Sequence, residues 1–171
     1  MGQTVGSTFS DKNVGTSKTV TVNSITLADG TNGGLASNYT ISSGQTTTAN
    51  ITAKALSVSG ITASNKVYDG TTSATLSTGA VVYGGLVSGD TLTGTYSGVF
   101  NNANVGNGKT VTITSSYGGA DVNNYTITDQ ASTTANVTTK SLTATASAAN
   151  KVYDASNTCL LYTSPSPRDF L

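Results

Sequence analysis

KTVTITSSY (109–117) alternates apolar and polar residues, and KTVTVNSITL (18–27) does the same ninety-one positions earlier. DTLTGTYSGVF (90–100) follows the pattern less strictly. A period of two places successive side chains on opposite faces of a strand, so one face is buried and the other wet. Threonine suits the wet face, because its β-branched side chain is stiff at χ1 and fits a pleated surface. No stretch sustains a 3.6-residue period, and the good helix formers Glu, Gln, Leu and Met are absent or scarce. The sequence therefore predicts a folded, all-β protein with antiparallel, sandwich-like domains; a β-grasp-like arrangement is the second choice.

The rest of the composition narrows the function. The chain has 171 residues, and Thr, Ser, Asn and Gly fill about half of it. Eight basic residues balance eight acidic ones, all Asp, and charged residues make up 9%. A neutral surface of this kind does not suit nucleic acid, which needs a basic footprint. It offers no polybasic membrane patch either, and no apolar run is long enough to cross a bilayer.

The chain matches itself. FSDKNVGTSKTVTVNS (9–24) aligns with FNNANVGNGKTVTITS (100–115), and SNYTISSGQTTTANITAKAL (37–56) with NNYTITDQASTTANVTTKSL (123–142). NKVYDG (65–70) returns as NKVYDA (150–155). A repeat of this length is a domain, longer than a solenoid unit. The expected division is the back part of one copy at 1–54, a complete copy at 55–140 and the opening of a third at 141–158. Met1 then falls inside a domain, so the chain reads as a window on a longer repetitive protein. The expected core of the complete copy is Leu56, Val58, Ile61, Val67, Tyr68, Leu76, Leu92, Phe100, Val105, Val111, Ile113, Tyr125, Ile127 and Val137.

Residues 159–171 break the pattern. CLLYTSPSPRD (159–169) holds the sole Cys, the sole Arg and both prolines. Its codons can be chosen to spell the end of a transposase-based sequencing-library adapter, which it resembles over eleven consecutive residues. The segment reads as a non-native tail, so Cys159 carries no redox or metal argument.

Catalysis finds little material. There is no His to serve as a base, and no Ser sits in a Gly-x-Ser-x-Gly elbow. The Asp residues 11, 29, 69, 90, 121 and 129 are scattered singly. The expectation is a protein that is not an enzyme and uses no cofactor. A Ca²⁺ site wants several oxygens from one loop. SGDTLTG (88–94) and GGADVNN (118–124) bring one Asp each, so such a site would have to be assembled between neighbouring domains. In the KVYDG phrase, Asp69-Gly70 reads as a tight turn, with Asp bonding the following backbone and Gly taking positive φ. A functional reading would make Lys66 and Asp69 a polar site; the structural reading makes KVYDG a turn motif with Tyr68 as its core aromatic. Ala155 replaces the glycine in the third copy, so the expectation there is a relaxed turn or an already degenerate site. For sugar binding, Tyr83 and Tyr96, on either side of GGLVSGD (84–90), are the candidates for an exposed aromatic face. Asn-x-Thr triplets at 38, 50, 124 and 136 receive no role, because a Thr-rich strand protein generates them by chance.

LSVSGITASNKVYDGTT (56–72), NVGNGKTVTIT (104–114) and NYTI followed by TTANVTTKSL (133–142) together resemble the YDG-type repeat domain of large filamentous-haemagglutinin-like bacterial surface adhesins. The resemblance covers residues 1–158 and rests on three blocks in the same order. It implies a secreted, cell-surface fibrous protein of a Gram-negative bacterium. The repeats would be stalk or spacer elements with neighbouring repeats as partners, and host-surface glycan or protein would be met through other regions. The second reading makes the repeats themselves a carbohydrate- or protein-binding module. At the junction TTTANITAKALSVSG (46–60) the apolar phase switches near Lys54 with no Pro or Gly before Gly60. A linker of one or two residues leaves neighbouring domains little room to swing.

Overall fold

A computed structural model describes residues 3–159 and 161–163. Its strands, in chain order, are β1 (Gln3–Phe9), β2 (Gly15–Leu27), β3 (Thr46–Ile51), β4 (Lys54–Ser59), β5 (Thr62–Ala63), β6 (Lys66–Val67), β7 (Ser73–Ala74) and β8 (Leu76–Ser77). They continue with β9 (Val82–Gly84), β10 (Thr93–Phe100), β11 (Gly106–Gly118), β12 (Tyr125–Thr128), β13 (Ser132–Thr138), β14 (Ala146–Ala148) and β15 (Leu161–Thr163). Two 3₁₀ turns, Ala36–Asn38 and Val122–Asn124, are the helical elements among the described residues. The protein is all-β. A β-grasp would need a helix packed across its sheet, and these single turns do not supply one.

The complete copy is built from a five-stranded sheet, β6-β13-β11-β10-β7, and a three-stranded sheet, β12-β4-β9. The alternation read from the sequence sets the faces. Along β11, Lys109, Val111 and Ile113 point inward while Thr110, Thr112 and Thr114 point out. Leu56 and Val58 of β4 and Tyr125 of β12 meet Ile113 in one buried cluster. Phe100, Val111, Ala135 and Val137 form a second. Two sheets facing each other across apolar side chains make the sandwich-like arrangement.

Pairing departs from a purely antiparallel scheme in two places. β12 runs parallel to β4, with Ile127 opposite Leu56, and β13 runs parallel to β6, with Val137 opposite Lys66. Each joins strands far apart in the chain, the separation a parallel pair requires. β4 also begins at Lys54, one residue before the expected boundary.

Two members of the expected core are exposed, Val67 at 55% and Val105 at 50%. Val67 fails because neighbours on a strand face opposite ways. Lys66 and Tyr68 turn toward the Phe100 cluster, so Val67 faces out. Val105 lies just before β11 and lines an open groove with Tyr68, Asn104 and Lys140.

The flanking copies repeat parts of this plan. β1-β2-β3 reproduces β10-β11-β13, including a bulge between Gly15 and Lys18 that matches one between Gly106 and Lys109. In the third copy β14 pairs with β15, Ser147 opposite Tyr162 and Ala148 opposite Leu161. This is the register of Thr62 with Ser77 and Ala63 with Leu76 in the complete copy. Leu161 and Tyr162 of the tail thus occupy the place of β8; residues 160 and 164–171, where the tail holds Arg168 and both prolines, lie outside the described residues.

Candidate functional site

Three places gather polar or aromatic groups: the KVYDG turn, a tyrosine cluster, and the junction between the first and second copies.

In the turn, Asp69 Oδ1 accepts hydrogen bonds from the Thr71 amide and hydroxyl, both at 2.9 Å, while Gly70 takes φ +80°. Lys66 Nζ donates to Asp69 Oδ1 at 2.8 Å and to the carbonyls of Thr71 and Ser73 at 2.8 and 3.1 Å. The ammonium also sits 5.6 Å from the centre of the Phe100 ring, a favourable cation–π position. The lysine hydrogen bond, followed by those from Thr71, holds the Asp69 carboxyl down at about 2. Lys66 Nζ and Asp69 Oδ1 spend these bonds within the turn, so the pair acts as a latch on it. The third copy keeps the latch despite Ala155. Lys151 reaches Asp154 at 2.8 Å, the Ser156 amide donates to Asp154 at 3.0 Å, and Ala155 takes φ +56°. The expected relaxation does not occur, because the lysine and Asx bonds impose the left-handed residue whatever its side chain.

Tyr83 and Tyr96 do not form an exposed face. They are half-buried, their hydroxyls lie 3.0 Å apart, and both pack against the Leu56 cluster. Tyr117 meets Tyr96 edge-on with centroids 6.1 Å apart, and its hydroxyl donates to Asp129. Burial raises the Tyr96 hydroxyl far above its ordinary value, with the Tyr83 hydrogen bond adding to the shift. β9 and β10 bring the two rings together across the inner space between the sheets. Tyr83 lies in β9 and Tyr96 in β10, the strands on either side of that loop.

The junction is where sequence reading found least and the structure places most. Lys12, in the loop between β1 and β2 of the first copy, reaches Asp90 at 3.0 Å and Asp121 at 3.2 Å in the second. The loops 88–94 and 118–124 do meet, but the cation between their carboxylates is the Lys12 ammonium. The two carboxylates are largely buried, at 12% and 13% exposure. Each is also held within its own copy: Tyr125 Oη donates to Asp90 at 2.6 Å, and the Thr91 amide donates to Asp121 at 3.0 Å. These bonds first, and Lys12 second, hold both carboxyls below their ordinary range. The reciprocal contacts, Asp90 foremost, raise Lys12, and Asp90 likewise raises the Tyr125 hydroxyl. Beside the lysine, Asn124 accepts from the Val14 amide at 2.9 Å and donates to the Asn13 side chain at 3.2 Å. Between β3 and β4 only Thr52 and Ala53 connect the two copies.

Three of the four Asn-x-Thr asparagines therefore have structural work. Asn124 holds the junction, while Asn50 and Asn136 cap the bulge amides of Ser17 and Gly108 at 2.8 and 2.7 Å. Lys12 was invisible to the self-alignment because its counterpart in the second copy is Ala103. The pairing of Asp90 with Asp121 was invisible because it crosses thirty-one positions of sequence. Among the described residues, no group of three or more His, Cys, Asp or Glu side chains converges as a metal-holding set, and no helix is long and apolar enough to cross a membrane.

No curated protein matches the chain. No solved structure matches it either. The family model of the YDG domain matches residues 2–49 and again 52–135, the two stretches that the Lys12–Asp90 and Lys12–Asp121 ion pairs join. The chain belongs to the YDG domain family.

Proposed function

We propose that these repeats are stalk or spacer elements of a secreted bacterial surface adhesin, holding an adhesive region away from a Gram-negative cell. The observation that carries this reading is the junction. A two-residue connection, an ion-paired lysine and an asparagine of the second copy bonded to Asn13 and Val14 of the first hold one copy against the next. Repeated along a chain, a two-residue connection and the asparagine bonds leave neighbouring copies little room to swing, which favours an extended rod. The partners of the repeats are neighbouring repeats. Contact with host glycan or protein belongs to other regions, and catalysis, nucleic-acid binding and membrane insertion have no part. The interior placement of Tyr83 and Tyr96 weighs against a sugar-binding module built on them. An array of four copies and the present chain, screened against glycans and host-surface proteins with small-angle scattering on the array, test the reading. A rod whose length grows linearly with copy number, with no binding by the present chain, is expected. Sub-micromolar binding by the present chain would overturn it.

The tail from Cys159 onward we read as translated library adapter. Leu161–Thr163 fits beside β14 because backbone pairing asks little of side chains. Sequencing the locus from source DNA across codon 158 without adapters should show a continuing third repeat. Recovery of CLLYTSPSPRD would reject this origin.

A further inference from the structure

We propose that the end face of the complete copy, around Asn104, Val105 and Lys140, is the docking face for the front of a following YDG repeat, with the KVYDG turn as its side wall. The inference rests on the spacer reading and goes beyond it by naming the contact. The face carries the counterparts of the residues that make the observed junction. Asn13 and Val14 of the first copy, with Thr52 and Lys54 at the connection that follows it, correspond to Asn104, Val105, Thr138 and Lys140. At the observed junction Val14, Thr52 and Lys54 line a cleft bounded on its other side by Val87, Asp90, Asn124 and Tyr125 of the second copy. In the complete copy the same face opens into a groove of about 670 Å³, lined by Asn104, Val105, Thr139 and Lys140 and bordered by Tyr68, Asp69 and Gly70.

Exposure agrees with a missing cover. Val14, beneath Asn124, is half-buried, whereas Val105 is 50% exposed. The occupant is a repeat carrying the Asn-Asn-Tyr phrase of residues 123–125. Its second asparagine would accept from the Val105 amide and donate to Asn104, as Asn124 does with Val14 and Asn13. The turn supplies a wall that keeps its shape because the Lys66–Asp69 latch ties it to the domain. One part of the contact is not repeated: Ala103 stands where Lys12 stands, so this second joint lacks the bridging ammonium.

The test uses a chain in which residues 1–140 run directly into a second copy of residues 55–140, which keeps the repeat in phase. Hydrogen exchange is followed at the Val105 amide, in the present chain and in the extended one. A gained hydrogen bond should slow exchange about tenfold in the extended chain. Asn124→Ala in the added copy alone should return it to the rate of the present chain. Ala103→Lys should slow it further, by restoring the bridge to the added copy's Asp90 and Asp121. Equal Val105 rates in the two chains, or slowing untouched by Asn124→Ala in the added copy, would overturn the contact. A rod-like array with unprotected Val105 would reject the contact and leave the spacer reading standing. Protected Val105 in a chain that binds glycan tightly would do the reverse.

Discussion

The first and the complete copies contain the same phrases and bury them differently. Phe9 and Phe100 are equivalent, yet Phe9 is 41% exposed and Phe100 is 2% exposed. Tyr39 stands at 57%, while its twin Tyr125 stands at 8%. The SNYTI phrase around Tyr39 forms no strand, whereas YTIT at 125–128 is β12. The cause is a missing partner. β12 exists beside β4, with Tyr125 opposite Lys54, and the described residues of the first copy hold no counterpart of β4. A strand's backbone groups need a neighbour to bond, and an apolar side chain needs a facing sheet to leave water. Local sequence supplies the pattern, and the opposite half of the domain decides whether it becomes structure.

By contrast, the β-bulge survives in both copies. Lys18 bonds Asp11 and the Asn13 carbonyl, and Lys109 bonds Asn102 and the Asn104 carbonyl. Ser17 and Gly108 both take positive φ, +50° and +58°. All of these partners come from one hairpin and its neighbour strand, so the feature needs nothing from the rest of the domain.

The comparison can be broken most forcefully in the core. Phe100→Ala should destabilise the complete copy by about 3–5 kcal/mol, since it removes a fully buried ring. Phe9→Ala should cost less than about 1 kcal/mol, as for a partly solvated side chain. Chemical denaturation, followed by NMR signals assigned to each copy, separates the two. Similar costs would mean that the first copy has a packed core of its own.

The bulge gives a smaller effect with opposite signs. Gly108→Ala should cost about 1–2 kcal/mol, because a Cβ at positive φ is strained even though no atom lies within 4 Å of it. Ser17→Gly should stabilise the first hairpin by up to about 1 kcal/mol, the relief being offset by glycine's greater freedom when unfolded. Amide exchange at Thr19 and Thr110 would read both.

The smallest effect lies at the junction. Asp90 and Asp121 have depressed pKa values in the folded chain. Their contribution is present above the ordinary value of 3.8 and fades as pH falls below it. Lys12 is raised, so its contribution is present below 10.5 and fades as pH climbs through the raised value. Lys12 is well exposed, so Lys12→Met should leave the unfolding midpoint of the complete copy unchanged. It should shift the Val14 amide resonance, and in the unaltered chain that resonance should stay constant from about pH 5 to 9 and move below about pH 4. A midpoint lowered along with the resonance would show that the joint and the domain core are one cooperative unit.

Alternation and the Asp-Gly turn were legible in the sequence because each depends on residues a few positions apart. KTVTITSSY announced β11, and Asp69-Gly70 announced a turn, from local steric and hydrogen-bonding preferences alone. Tertiary structure decided the rest. The parallel pairing of β4 with β12 joins residues 71 apart, and no local period encodes which distant strand lies alongside. Val67 was misplaced because alternation fixes a relative phase, and only packing against Phe100 showed that Lys66 and Tyr68, not Val67, face inward. The joint depends on Lys12 meeting Asp90 and Asp121 across 78 and 109 positions. Single charges in separate loops carry no sign in the sequence that the fold will bring them within 3.2 Å of one ammonium.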